Sequence, residues 1–485
     1  MHQSVKSGRG PRNPFFKPPG EDAEEKGGPG RVYGAIEVAQ RLESNATDVL
    51  DEAEPVFFEC IDTAWFHNNY SRGAEWVGAV LYAPLLVLAL EGYPMPPLPD
   101  NAAPGDIVWF EFGFEPARGV EADGRVYRNI LSEGESVKIT FYEPRPLDFA
   151  ANSPWGGDMA LISEMHAETK GSVYGPGPKL RKLLAESHST AGVAIYDVGQ
   201  GSCQAVVDTA HYVPLLYVDI GGGVIANEKT FPDRLHGLCF SCDPPIVLSH
   251  WDFDHWSSAL RFLEALDAEW FAPSVPTKPI QQAMAAELFS RGLLHIWPVG
   301  GPAEYVGKNV SLERCTGKTY NDSGIAVTFH RSKPSGNNCL LPGDADFQFI
   351  PSVVAKRKFS AICMTHHGGR LHSATYPIAK RGAVAANSSG PRNSYKHPLF
   401  DTIGAHLEAG WPLPVQTGLS GQRPCHVLLP WGQKPHYFQG GCHGPGSCNI
   451  APAKAAPGTL KLANWATLSA SVAKSKAKVK SLAKV

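Results

Sequence analysis

Short apolar runs separated by polar and glycine-rich turns dominate the hydrophobic pattern of this chain. Residues 105–114 and 137–142 are rich in β-branched and aromatic side chains, which predicts strands. Residues 35–50 instead space their apolar positions by three and four, which predicts an amphipathic helix. A further short helix is expected at 179–187. We therefore expect the first part of the chain to mix strands and helices.

The pattern becomes more regular from residue 191 onward. Apolar strands are predicted near 191–196, 215–219 and 245–249, and helices at 256–266 and 280–291. Short strands interleaved with helices favour an α/β layered domain.

These changes of pattern divide the chain into five segments. They are a disordered N-terminus at 1–30, a small α/β or β-rich module of unknown role at 31–150, a linker at 151–190, a main domain at 191–450 and a basic tail at 451–485. The module at 31–150 shows no catalytic constellation, and contact with a protein partner is one role that it could have.

Composition and charge narrow the function classes. The 485 residues are 43% hydrophobic and carry a formal net charge of −3, so any binding of nucleic acid must use a local basic patch. Ten scattered Cys fit reduced thiols in a cytoplasmic protein rather than a disulfide framework. The apolar run at 76–90 is shorter than the ~20 residues that span a bilayer, so we expect no membrane association and a buried helix or helical hairpin there instead.

Candidate chemistry concentrates where the predicted strand at 245–249 ends. His250, Asp252, Asp254 and His255 follow within six residues, and the first two share a face because strand side chains alternate. Imidazole and carboxylate ligands suit zinc, manganese or iron, and this density suits two ions. The alternative is a polar loop with a capping Asp and two surface histidines.

Short polar and glycine-rich motifs occur in order at 197–201, 219–222, 249–255, 321–327, 340–346, 365–369 and 387–398. In this order they resemble the metallo-β-lactamase fold, and the form His-x-Asp-x-Asp-His resembles the hydrolase domain of ComEC-type DNA-uptake proteins. Two positions depart from the family pattern, since Ser257-Ser258 replaces Gly-Gly and the last residue of 366–369 is Gly rather than Ser. Neither change removes a ligand.

This resemblance implies an αββα sandwich, an α/β fold, with the additional N-terminal module outside it. It also implies a site with two divalent transition-metal ions, Zn or Mn. His250 and Asp252 would hold the first ion, and Asp254 and His255 the second. Asp344 would bridge the two ions, with Asp346 as a weaker alternative, and His366 or His367 would complete the site, His366 being favoured.

The last motif adds residues that border the site in this fold. Asn387, Ser388 and His397 are expected to contact a phosphate or to donate to the leaving group. Five basic residues nearby would suit phosphate contacts or simply form a solvated face: Arg370, Lys380, Arg381, Arg392 and Lys396. Residues 425–448 also crowd Cys and His, either as a small structural zinc site or as plain loop.

The resulting functional hypothesis is a metal-dependent hydrolase that uses a metal-bridged hydroxide, with Asp254 orienting it. The family resemblance favours a phosphodiesterase or nuclease acting on DNA or RNA. One alternative is hydrolysis of a small ester, lactone or cyclic nucleotide at the same site, since one fold serves many substrates. Another is a degenerate binding protein without turnover.

Overall fold

The computed structural model describes residues 10–17, 28–38, 55–70, 81–91, 97–99, 102–118, 121–142, 174–188, 191–274, 276, 278–298, 300–331, 336–418, 424–429 and 434–438. Three β-sheets dominate these residues, and the helices among them are short. The predicted αββα sandwich is therefore wrong for this chain. Most connections between strands are 3-10 turns or loops instead of the helical layers that such a sandwich requires.

The first sheet is a closed antiparallel barrel with strand order β1-β2-β3-β5-β6-β4. Its strands are β1 (Gly30–Glu37), β2 (Val56–Asp62), β3 (Leu85–Leu90), β4 (Ile107–Pro116), β5 (Gly124–Tyr127) and β6 (Glu135–Phe141). Helix α1 (Thr63–Tyr70) follows β2 directly. The strands expected at 105–114 and 137–142 are confirmed as β4 and β6.

Both faces of β1 to β4 are buried over most of their length, which explains their unusual sequence pattern, whereas β6 exposes one face. On β2, Phe58 and Cys60 point into the barrel core, whereas Ile61 packs on the outside against the rest of the molecule. Tyr33 and Ala35 of β1 pack on that outer face as well. The helix predicted to start at residue 35 is therefore wrong for residues 35–37, because pairing with two neighbouring strands overrides the helical spacing. Residues 39–50 lie outside the described part.

The remaining strands form two mixed sheets. We call these two sheets and the helices between their strands the body of the molecule. The body begins with α2 (Pro178–Ala185), which confirms the short helix expected near 179–187. Strands of the first body sheet are β7 (Ala191–Ile195), β8 (Cys203–Asp208), β9 (Val213–Ile220), β10 (Ile246–Val247), β11 (Trp270–Ala272) and β12 (Leu294–Ile296), with α3 (Pro279–Ser290) between the last two.

The second body sheet has seven strands. They are β13 (Glu304–Val306), β14 (Val310–Arg314), β15 (Ile325–His330), β16 (Asn338–Leu341), β17 (Lys358–Cys363), β18 (Ile378–Asn387) and β19 (Val415–Gln416). Helices α4 (Pro351–Val354) and α5 (Phe400–Glu408) lie between its strands in the chain. Strands β20 (His426–Leu429) and β21 (His436–Phe438) return to the first body sheet beside β7.

The two body sheets share one apolar core. Val193, Val206 and Val218 of the first sheet cluster with Val327 and Leu341 of the second, all fully buried. Val247 of β10 and Leu341 of β16 both belong to this core, and the loops after both strands carry the candidate site. Strand β3 occupies part of the apolar run at 76–90, where a helix was expected. No helix of the described residues is long and apolar enough to cross a membrane.

Candidate metal centre

The motif at 250–255 lies where β10 ends. β10 is a short parallel strand between β9 and β11, so its carboxyl end opens at the edge of the sheet. His250 and His255 are almost fully buried, and a 3-10 turn at Phe253–His255 brings Asp254 back beside His255. The cluster predicted from the sequence is therefore an assembled group of side chains rather than a solvated loop.

Asp344 lies at the centre of the imidazoles. Its Oδ1 is 3.1 Å from His255 Nε2 and 3.6 Å from His367 Nε2. Its Oδ2 is 3.9 Å from His250 Nε2 and 3.8 Å from His366 Nε2. One carboxylate oxygen thus faces each pair of histidines, an arrangement suited to a carboxylate shared by two cations.

The two histidines after β17 have different surroundings. Both have left-handed backbones, with φ of 51° at His366 and 53° at His367, a conformation that is uncommon for non-glycine residues. The Nδ1 of buried His367 lies 2.8 Å from the Ser388 carbonyl, which leaves Nε2 facing Asp254 at 3.3 Å. His366 is 37% exposed and faces the cleft.

Two groups of side chains have the spacing of metal ligands. One group is His250, His255 and Asp344, and the other is Asp254, His255 and His367. The donor set fits divalent transition metals, and the buried Nε2 of His250 makes no hydrogen bond among the described residues. Burial opposes ionisation of Asp344, yet the imidazoles around it hold its pKa well below the usual range.

Asp346, the alternative to Asp344, has another role. Its side chain accepts hydrogen bonds from the backbone N–H groups of His372 at 2.8 Å and Gln348 at 3.4 Å. Its carboxylate thereby stabilises the loop, and it belongs to neither ligand group.

Asp219 and Ser249 form a buried support beneath the ligands. Asp219 accepts hydrogen bonds from the Ser249 backbone N–H at 2.6 Å, from the Ser249 hydroxyl at 2.8 Å and from His255 Nδ1 at 2.8 Å. The bond to His255 fixes its tautomer, so that Nε2 points to Asp344. Sequence reasoning noted Asp219 only within a motif. The signal that could have identified its role was an acidic residue at the end of an otherwise apolar strand.

Asp252 is held by partners that the sequence did not reveal. Its Oδ1 accepts a hydrogen bond from Gln281 Nε2 at 3.2 Å and lies 3.5 Å from Lys278 Nζ. Lys278 also pairs with Glu59 Oε1 of the barrel at 3.2 Å. Burial opposes the charge of Asp252, but Lys278 and His250 together keep its pKa below the usual range. Asp252 lies 3.5 Å from His250 Nε2 and remains next to the first ligand group.

A cleft of about 300 Å³ opens over the ligands. Barrel residue Glu37 borders it, and burial raises the pKa of this carboxyl to about 7. His397 also borders the cleft with its ring 5.4 Å from that of His366, and burial lowers its pKa to about 3. Asn387 is fully buried, donates to Ser389 Oγ at 3.0 Å and does not border the cleft.

The five basic residues expected near a phosphate are dispersed. Only Arg370 borders the cleft among them. Lys380 instead donates to the Gly336 carbonyl on the second body sheet. Carboxylates from both modules border the same cleft, so the charge around it is mixed rather than basic.

The C-terminal Cys and His residues are only partly within the described chain. His426 is buried in β20, and its Nδ1 accepts the Asp197 backbone N–H at 2.9 Å. Cys442, His443 and Cys448 lie outside the described residues, as does the basic tail at 451–485.

No family model and no curated protein matches the chain. Among solved structures, it is similar to an isothiocyanate hydrolase from Delia radicum gut bacteria, with 13% sequence identity and a TM-score of 0.25. The match covers 47% of this chain and 97% of that chain. A TM-score this low defines neither the fold nor the activity of the present chain. The resemblance to ComEC-type hydrolase domains therefore stays a prediction from motifs.

Proposed function

We propose that this protein is a metal-dependent hydrolase that binds two divalent transition-metal ions and cleaves a small phosphodiester. The observation that carries this proposal is Asp344, whose two oxygens face separate pairs of histidines. His250 and Asp344 would hold one ion, with Asp252 and His366 beside them. Asp254, His255 and His367 would hold the second ion. Of these, His255 and His367 both face the other oxygen of Asp344.

When bound, two such ions supply Lewis-acid activation of a water and of the scissile ester. Asp254, whose side chain is 23% exposed, is positioned to orient the attacking water. Because burial keeps the His397 imidazole neutral, that side chain would donate an N–H hydrogen bond to the leaving oxygen. Arg370 at the cleft wall offers a planar pair of donors suited to a phosphate oxygen.

Cleft size and charge favour a small substrate over a polymer. A nucleic acid strand requires a basic surface that follows several phosphates. Here Arg370 is accompanied at the cleft by the carboxylates of Glu37, Asp322 and Asp346. Glu37 of the barrel forms part of the cleft wall. We therefore rank the small phosphodiester above DNA or RNA.

The test begins with metal analysis of the purified protein, which should contain close to two transition-metal ions per chain. The protein is then assayed on bis(4-nitrophenyl) phosphate, a 2′,3′-cyclic nucleotide, single-stranded DNA, duplex DNA and RNA. Asp254→Asn should reduce turnover by at least about 10³-fold, whereas Asp233→Asn, an exposed site, should not change it. Metal-free protein with full activity would refute the proposal, and faster cleavage of polymers would restore the nuclease hypothesis.

A further inference from the structure

A second cavity, of about 170 Å³, lies between the barrel and the body. It adjoins the candidate metal centre, because Asp252 and Asp254 both border it. Asp252 and Tyr395 also border the larger cleft, so the two spaces meet at these residues. A substrate whose ester lies at the metal centre could therefore extend a second group into this cavity.

Gln200 borders the cavity with a buried side chain. Its side chain is 1% exposed, and neither its amide nitrogen nor its amide oxygen has a hydrogen-bond partner among the described residues. The backbone is held in place, since the Gln200 N–H donates to Thr230 Oγ1 at 2.8 Å. A buried amide without partners is unfavourable. A ligand that presents an acceptor and a donor side by side would satisfy both atoms at once.

The other walls combine aromatic and apolar side chains with the charged groups of Glu59, Asp252, Asp254 and Lys278. Phe57 comes from the outer face of β2, Phe253 from the ligand loop, and Tyr395 from the loop that precedes His397. Val224 and Ile225 complete the apolar lining. Aromatic faces beside amide and charged groups can bind a flat heterocycle by stacking and by paired hydrogen bonds.

We propose that this cavity binds a nucleobase-type heterocycle of the substrate, with Gln200 as its hydrogen-bonding partner. The inference rests on the proposed function, because it makes the small phosphodiester a nucleotide. Gln200 would be a specificity residue that contacts the part of the substrate away from the scissile bond. The phosphate would then lie over Asp254 and His255.

The test measures binding rather than turnover. Metal-loaded protein is titrated with adenosine 5′-monophosphate and with ribose 5-phosphate, which lacks the base. Adenosine 5′-monophosphate should bind about tenfold more tightly or better, and Gln200→Leu should remove that difference through its loss of a paired contact. The affinity for ribose 5-phosphate should not change in the variant.

Gln282→Leu is the matched control. Gln282 is also fully buried with both amide atoms unpartnered among the described residues, but it does not border this cavity. It should keep the preference for adenosine 5′-monophosphate. Equal affinity of the wild-type protein for the two ligands, or an unchanged preference in Gln200→Leu, would overturn the inference.

The outcome is separable from that of the proposed function. The wild-type protein could fail to hydrolyse any phosphodiester and still prefer the base-bearing ligand in a way that depends on Gln200. That result would refute the hydrolase but support the cavity assignment. Hydrolysis of bis(4-nitrophenyl) phosphate without any preference for the base would do the opposite.

Discussion

Replacing Lys278 by Met removes the cation that lies between two carboxylates of different modules. Lys278 Nζ lies 3.2 Å from Glu59 Oε1 and 3.5 Å from Asp252 Oδ1, and its side chain is only 13% exposed. Removal of one partner from a buried ion pair typically destabilises a protein by about 3–5 kcal/mol. Because Asp252 is 34% exposed and can recover hydration, we expect the lower end, about 3 kcal/mol.

Urea unfolding followed by tryptophan fluorescence, with a chelator present, measures this effect. The control is Lys229→Met, which breaks an exposed pair with Glu133 and should change stability by less than about 0.5 kcal/mol. Adding Glu59→Gln to Lys278→Met should restore part of the loss, since it removes the uncompensated buried charge.

The pH dependence gives an independent check. Burial raises the pKa of Glu59, although Lys278 opposes this rise. When a carboxyl has a raised pKa in the folded state, the protein loses stability as the pH increases above the pKa that this carboxyl has in the unfolded chain, about 4.3. Without Lys278 this loss becomes larger, so the destabilisation should be greater at pH 7 than at pH 5. An effect at pH 7 that matches Lys229→Met, or one that grows on acidification, would refute the role given to Lys278.

Three further predictions concern the site and its surroundings. Ser249→Ala removes a hydroxyl donor to Asp219 and should weaken metal affinity by about 10–100-fold in competition with a chromophoric chelator; unchanged affinity would contradict the supporting role. Asp344→Asn should lower bound metal below about one ion per chain by elemental analysis, and full occupancy would show that this carboxylate is not shared. Burial lowers the pKa of His426 to about 3, so its contribution to stability is present above about pH 6.5 and is lost as pH falls. In the wild-type protein, this group should lower the free energy of unfolding by about 3 kcal/mol between pH 6.5 and pH 4, and His426→Phe should abolish that decrease. The variant also leaves the Asp197 N–H without its acceptor. An unchanged pH dependence of the free energy of unfolding would contradict the prediction.

The ligand cluster was predictable because its members are close in sequence. His250, Asp252, Asp254 and His255 follow a short apolar strand, and alternation alone brings the first two together. Asp344 was reached through the motif resemblance, and the structure places it among the imidazoles. The assignment of individual ligands, and the ions themselves, stay predictions.

The barrel and its contribution to the site were not predictable in the same way. A strand that buries both faces lacks the polar alternation that identifies a half-buried strand, as β1 shows with Val32 inside and Tyr33 outside. The link between Glu59 and Lys278 joins residues far apart in sequence. Nothing local to either residue indicates the other, and only the packing of the barrel on the body brings them together.

The barrel also determines how helix α3 begins. Glu59 accepts the backbone N–H groups of Ile280 at 2.9 Å and Gln281 at 3.2 Å, and it lies 221 positions before Ile280 in the chain. These are donors that a helix leaves unpaired in its first turn. During synthesis the barrel strands leave the ribosome first, so the acceptor precedes the helix that requires it. One barrel carboxylate thus both accepts the first free N–H groups of α3 and pairs with Lys278 at the start of this helix.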